Sequence, residues 1–254
     1  MKQIPNLFTL LNLVFGCLAI VFMLQNGIII VNDENGSQLV DMPAKIWYAS
    51  MFIGLAAVVD FLDGFVARLF KATSEMGKQL DSLADVVSFG VAPGIILYEF
   101  LRLAYAQQEN GLEVSMAWLT LAFVLPAAAA WRLAKFNLDT EQNYSFKGVP
   151  TPAVALLVAS FPLIYWNVNE KWVTDILLNK WFLHGLVFLL SFLMVCNWRF
   201  MNFKFNSFGW KENFPKYLLI VIGIISVLLL HWLAAPVIFL CYVLVSLIFK
   251  NKLA

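Results

Sequence analysis

The chain is short of charge. Asp, Glu, Lys and Arg make up 13% of its 254 residues, where an ordinary soluble domain carries roughly a quarter. Hydrophobic residues reach 61% and mean hydropathy is +0.79, which excludes a soluble fold with a normal polar shell. The net charge is +1, so no global field argues for a nucleic-acid partner. Cysteine is scarce as well. Cys17, Cys196 and Cys241 lie far apart in apolar runs without metal-ligand spacing and read as packing residues. Histidine occurs twice, at His184 and His231; both sit far from the acidic cluster below and read as structural.

What the chain has is long apolar runs. A spanning helix needs ~20 mostly apolar residues. Eight runs are expected to form an all-α, polytopic membrane helix bundle: 7–26, 46–70, 80–103, 115–136, 150–166, 180–197, 215–232 and 235–249. The fifth is short and bounded by Pro150, Pro152 and Pro162; the last two are separated by a turn at Ala234-Ala235-Pro236. The first run is too long for a signal peptide, lacks a small-residue cleavage site, and is expected to remain as a helix. Pro5 marks its start, with Asn6 or Thr9 available as a cap. The connection 27–45, with Asn32, Asp33, Glu34 and Asp41, reads as a solvated loop. Counting Lys and Arg with the N-terminus inside places thirteen on the inner side and four on the outer. The excess predicts that both termini are cytoplasmic.

Into this apolar background residues 58–90, VVDFLDGFVARLFKATSEMGKQLDSLADVVSFG, place four aspartates. A carboxylate inside a bilayer costs several kcal/mol. At ~100° per residue, Asp60, Gly64 and Ala67 share a stripe, with Asp63 beside it. Gly77, Asp81 and Asp85 make a second stripe on the next helix. A short cytoplasmic turn joins the two helices, so they are expected to be antiparallel neighbours whose acids converge. Four converging anions need compensating cations, and oxygen-only ligands suit Mg²⁺, Mn²⁺ or Ca²⁺. Two such ions ~3.5–4 Å apart form a clamp for phosphoryl transfer. The small residues leave room for a flat ligand or for close helix packing, and Arg68 is placed to meet a phosphate or to anchor the helix at the inner surface.

The spacing D-x₂-D-G-x₂-A-R-x₈-G-x₃-D-x₃-D, carried by Asp60, Asp63, Gly64, Ala67, Arg68, Gly77, Asp81 and Asp85, resembles the signature of the CDP-alcohol phosphotransferases at all eight fixed positions. The resemblance implies an enzyme that moves a phosphoalcohol group from a CDP-linked donor to a second alcohol and releases CMP. It implies a dinuclear Mg²⁺ or Mn²⁺ site on the four aspartates, CDP against Gly64, Ala67, Arg68 and Gly77, and Asp85 as the base. The runs QLDSLADVVSFGVAPG (79–94), IPNLFTLLNLVFG (4–16), WRLAKFNL with FKGVPTPA (131–153) and, more loosely, CNWRFMNFKF (196–205) resemble the phosphatidylserine synthase branch. That likeness implies CDP-diacylglycerol and L-serine as substrates, a homodimer, and a cell-membrane enzyme whose active site faces the cytoplasm. It further implies a single domain over 1–254, a six-helix core of about 1–200 plus a pair at about 212–250. Lys135 stands where arginine is common in that branch; it keeps the charge but not the bidentate geometry.

A zwitterionic acceptor needs a cation for its carboxylate. Arg132, Lys135 and Lys147, with Asn137 between them, are the candidates, and lipid headgroups are their alternative partners. Asp139 and Glu141 are candidates for its ammonium. Ser88, a helical repeat beyond Asp81, is expected either to face the pocket or to bond back to its own helix. Asn12 either contacts CDP or bonds to a neighbouring helix. Other acceptors, namely glycerol 3-phosphate, inositol phosphate or an aminoalcohol, are the nearest alternatives. Buried acids also occur in cation and proton transporters, but those often show two matching halves, and no second copy of the acidic hairpin is present.

Overall fold

The computed structural model describes residues 4–25, 27–32, 38–69, 74–108, 113–138, 146–202 and 209–249. Helix α1 (Ile4–Gln25) leads through the hairpin β1 (Ile29–Asn32) and β2 (Gln38–Asp41) into α2 (Trp47–Leu69). Helix α3 (Glu75–Val86) continues through a π turn at Val87–Val91 into α4 (Ala92–Ala106), and α5 (Met116–Thr120) continues through a 3₁₀ turn into α6 (Val124–Leu138). Strand β3 (Phe146–Lys147) precedes α7 (Thr151–Asn167), α8 (Lys171–Leu177) and α9 (Lys180–Val195). Strand β4 (Arg199–Phe200), α10 (Trp210–Leu230) and α11 (Ala234–Ile248) follow.

The chain is a multi-pass membrane helix bundle. Five segments are long and apolar enough to cross a bilayer: Pro5–Gln25, Ala44–Val66, Glu75–Ala106, Met116–Leu138 and Asn213–Ile248. A sixth appears if α8 and α9, bent by 61°, count as one span, and α7 is apolar but has 17 residues. Length and apolarity therefore support five or six crossings where the sequence led us to expect eight. Part of the difference lies in the last segment, whose 36 residues do not form one rod. His231 takes a positive φ of 46° at the end of α10. The rings of Phe214 and Phe249 approach to 6.2 Å, and Gly223 faces Ile238, so α10 and α11 fold back on each other.

Burial separates centre from rim. In the α3–α4 rod 61% of the apolar stretch is buried, against 17% in α10–α11. Small residues let the central rod be enclosed. A Cβ at Gly90 would meet the Ala129 Cβ at 3.1 Å, and one at Gly94 would meet Pro126 at 3.0 Å, so this pair, spaced by four, seats α4 closely on α6. A Cβ at Gly16 would collide with Ser88, which seats α1 on the π turn. Helix starts follow their caps: Ser74 Oγ accepts from Gly77 N at 3.0 Å ahead of α3, and Asn179 Oδ1 accepts from Trp181 N and Phe182 N ahead of α9.

One connection differs from the expected solvated loop, and a second carries a strand pair. Residues 27–45 contain the β1–β2 hairpin, pinned to α7 by the Tyr165 hydroxyl, which donates to Asp41 Oδ1 at 2.6 Å. Its tip, with Asp33 and Glu34, lies outside the described residues. The second is the pairing of β3 with β4, Phe146 opposite Phe200 and Lys147 opposite Arg199. Gly148 makes this possible with a φ of +79° and an N–H that donates to the Trp198 carbonyl at 2.9 Å. A Cβ there would collide with the Met194 carbonyl. Gly148→Ala should cost ~1–3 kcal/mol and lower the thermal midpoint in detergent. Gly185→Ala, where a Cβ meets nothing within 4 Å, should leave it in place.

Candidate active site

The acids do converge, though not by direct packing of their two helices. α2 and α3 each pack on α1, and the gap between them is a cleft of about 500 Å³. Asp63 and Gly64 line it from α2, Gly77, Lys78 and Asp81 from α3, and Asn6 and Thr9 from α1. The two helices thus flank a cleft with α1 as one of its walls. Asp60 lies one turn deeper than Asp63, and Asp85 one turn deeper than Asp81, at 1.5 Å of rise per residue.

Ligand atoms of Asp60, Asp63 and Asp81 lie within 4.8 Å of one another. Asp63 is nearly buried and accepts a hydrogen bond from Thr9 Oγ1 at 2.8 Å. Asp81 Oδ1 is buried without a hydrogen-bond partner. Asp85 is buried and held by Asn12 Nδ2 at 3.1 Å. Among the described residues no lysine or arginine forms a salt bridge with any of the four; the pair Arg102–Glu99 sits elsewhere, on α4. Clustered carboxylates with an unsatisfied buried oxygen and, among the described residues, no salt-bridged protein cation suit a hard divalent ion. The donor set therefore fits Mg²⁺ or Mn²⁺, with Asp60, Asp63 and Asp81 as the close group.

The glycines fall where a ligand needs space. A Cβ at Gly64 would meet nothing within 4 Å, and one at Gly77 would press on Asn6 Oδ1 and Ser74 Oγ at 3.1 Å. Ala67 and Arg68 belong to the last turn of α2, and their side chains lie outside what the structure describes. Asn12 and Ser88 both bond to a neighbouring helix, for Asn12 one of the two alternatives expected. Asn12 is fully buried and orients Asp85 instead of lining the cleft. Ser88 is fully buried as well, and its hydroxyl donates to the Asn12 carbonyl at 2.9 Å. The stripe bearing Asp85 and Ser88 faces α1, and past Asp85 the contact at Gly16 shuts the gap.

The basic candidates divide. Arg132 is buried on α6, its Nε lacks a partner, and it lies within electrostatic reach of Asp85 and Tyr242. Lys135 donates to Asn197 Oδ1 at 2.6 Å. Asn137 ties α6 to α3, donating to Ser82 Oγ at 2.8 Å while its carbonyl accepts from Lys78 Nζ at 3.0 Å. Lys147 lies in β3 opposite Arg199. Asp139 and Glu141 lie outside the described residues. His184 meets the Tyr105 hydroxyl at 3.1 Å, away from the cleft. Sequence reading missed Thr9 as a partner of Asp63 and Lys78 as a wall of the cleft. The available signal was the polar series Asn6, Thr9, Asn12, recurring every three residues through an apolar helix.

Comparison with known proteins bears on this arrangement directly. Residues 2–195 match the model of the CDP-alcohol phosphatidyltransferase family. The chain belongs to that family. It is 33% identical over 98% of its length to a protein of Helicobacter pylori strain J99 named CDP-diacylglycerol–serine O-phosphatidyltransferase, covering 96% of that protein. Proteins of the same name from Bacillus subtilis strain 168 and Mycobacterium bovis are 31% and 28% identical, over 63% and 88% of this chain and 77% and 69% of their own. The family is generally dependent on divalent metal, in keeping with the carboxylate cluster. Filling the cleft from its open wall gives a direct check. Gly64→Val should leave the thermal midpoint nearly unchanged, since the new side chain enters free space, yet reduce CMP release from a CDP-linked donor at least ~10-fold, the loss of about 1.4 kcal/mol of transition-state binding.

Proposed function

We propose that the protein transfers the phosphatidyl group of CDP-diacylglycerol to the hydroxyl of L-serine, giving phosphatidylserine and CMP. The observation that carries the chemistry is the approach of Asp60, Asp63 and Asp81 to within 4.8 Å beside a cleft. The choice of serine is supported by a relative of that named activity aligned along nearly the whole chain.

Asp60, Asp63 and Asp81, with Asp85 at the edge of the set, would hold divalent cations, whose charge would neutralise the donor diphosphate and the charge left on CMP. Gly64 and Gly77 leave room for the nucleotide and Lys78 brings a cation to the cleft; Ala67 and Arg68 complete the CDP-binding set that the resemblance implies. Asp85 takes the proton of the serine hydroxyl as its oxygen bonds to the phosphatidyl phosphorus and the bond from that phosphorus to CMP breaks. Asn12 supports this role by holding one Asp85 oxygen, which leaves the other as the basic atom. Arg132, a buried guanidinium within electrostatic reach of Asp85, receives the serine carboxylate, and Lys135, Asn137 and Lys147 are the further acceptor candidates.

The same reading includes eight crossings with both termini and the cleft on the cytoplasmic side of a cell membrane, supported by the thirteen-to-four distribution of Lys and Arg. The core spans about 1–200 and the pair at about 212–250 is an addition, in keeping with a family match that ends at 195. A homodimer is the assembly the resemblance implies.

The reading is tested with purified protein, CDP-diacylglycerol and a panel of acceptors while CMP is followed. EDTA should abolish CMP release, and Mg²⁺ or Mn²⁺ should restore it. Serine should be used far faster than glycerol 3-phosphate, inositol phosphate or an aminoalcohol. Preference for glycerol 3-phosphate would reassign the acceptor and keep the family, and full activity in excess chelator would remove the metal site.

A second test separates base from ligand. Asp85→Asn keeps size and one carbonyl oxygen but removes the basic lone pairs, so turnover should fall by ~10²–10⁴ while metal-dependent CDP binding stays near wild type. Asp60→Asn strips charge from the close carboxylate group and should weaken CDP binding together with rate. Titration of CDP at saturating Mn²⁺ distinguishes the two, and a wild-type rate in Asp85→Asn would remove the base assignment.

A further inference from the structure

The family match stops at residue 195, yet the polypeptide beyond it returns to the residues assigned to the acceptor. Segment 197–201 is where it does so. Asn197 Oδ1 accepts from Lys135 Nζ at 2.6 Å, and Arg199 lies opposite Lys147 in the β3–β4 pair. The Trp198 carbonyl accepts from Gly148 N at 2.9 Å, next to Lys147. One short stretch therefore touches the surroundings of two of the three basic acceptor candidates.

That stretch is in turn held by α11. The backbone of Met201 is gripped at both polar atoms: its N–H donates to Ser246 Oγ at 3.2 Å, and its carbonyl accepts from the Tyr242 hydroxyl at 3.1 Å. The rings of Phe200 and Tyr242 stack with centroids 6.2 Å apart. All four residues are buried, Ser246 completely. Tyr242 and Ser246 are spaced by four and share one face of a helix, AAPVIFLCYVLVSLI, whose other residues are apolar. Two hydroxyls placed on the inner face of a lipid-exposed helix are costly unless they are bonded, and both are spent on one residue of segment 197–201. The third basic candidate, Arg132, has an unpartnered buried Nε and lies within electrostatic reach of Tyr242 as well as Asp85.

We infer that α11 is a positioning element for acceptor recognition: Tyr242 and Ser246 clamp Met201 so that Arg132, Lys135 and Lys147 are held as a cationic wall for the carboxylate of an amino-acid acceptor. The donor side does not depend on this clamp, because the cleft is lined by α1, α2, α3 and the turn before α3. The inference rests on the serine reading above and assigns acceptor affinity to a helix outside the family-matched residues. Tyr242 and Ser246 touch no reacting atom; they act through segment 197–201.

The test uses the full chain in detergent or liposomes, with Tyr242→Phe and Ser246→Ala each removing one hydroxyl while keeping the ring or the helix. KM for serine, KM for CDP-diacylglycerol and metal-dependent CDP affinity are measured for each. Each variant should raise the serine KM by ~3–10-fold, the weight of one hydrogen bond, with the CDP-diacylglycerol KM and CDP affinity unchanged. A defect confined to folding would lower CDP binding and both KM-derived efficiencies together, and that result overturns the inference, as does an unchanged serine KM in both variants. Wild-type protein that releases CMP without dependence on serine would instead sink the acceptor reading itself, so the two failures are told apart by the wild-type control.

Discussion

The mutual repulsion of carboxylates gathered inside an apolar helix bundle is the constraint on which the site is built. Ligand atoms of Asp60, Asp63 and Asp81 lie within 4.8 Å of one another with no protein cation in a salt bridge to them among the described residues. Such a cluster cannot stay fully ionised without counter-charge. The surrounding structure serves to keep the acids close without satisfying them internally. α2 and α3 stand apart on the face of α1, so the space between them stays open, and Gly64 and Gly77 leave its walls bare.

Within the cluster the four acids are made unequal by neutral partners on α1. Thr9 takes one oxygen of Asp63 and Asn12 takes one oxygen of Asp85, while Asp81 keeps a buried oxygen without a partner. Neutral donors fix orientation without cancelling charge, which suits acids whose charge is needed elsewhere. The first helix is therefore part of the site, although it holds no acidic or basic residue among those described. Its fit against the central rod, at Gly16 and Ser88, sets the depth at which the acidic gap closes.

The proposed acceptor side is built differently. Its basic residues come from α6 and from β3, elements separated by a stretch of chain, and they are gathered through backbone pairing and through one segment beyond α9. A long cationic side chain has many rotamers, and holding it for a small zwitterion calls for a fixed surround. In the proposed site the Gly148 turn and the Met201 clamp would provide that surround, at opposite ends of the same pair of short strands.

The sequence by itself determined the membrane class, the acidic stripes and the family. A 3.6-residue period places Asp60 with Gly64, and Gly77 with Asp81 and Asp85, whatever the rest of the chain does. It could not show that α2 and α3 part around α1, that Asn12 and Ser88 serve helix contacts and not the cleft, or that residues 27–45 form a hairpin pinned by Tyr165. Nor could it show that Tyr242 and Ser246 reach Met201 across more than forty residues. Periodicity reports which face of a helix a residue occupies. Which neighbour that face meets is decided by packing between elements distant in the chain, through contacts such as Gly16 on Ser88 and Gly94 on Pro126 that carry no local signal.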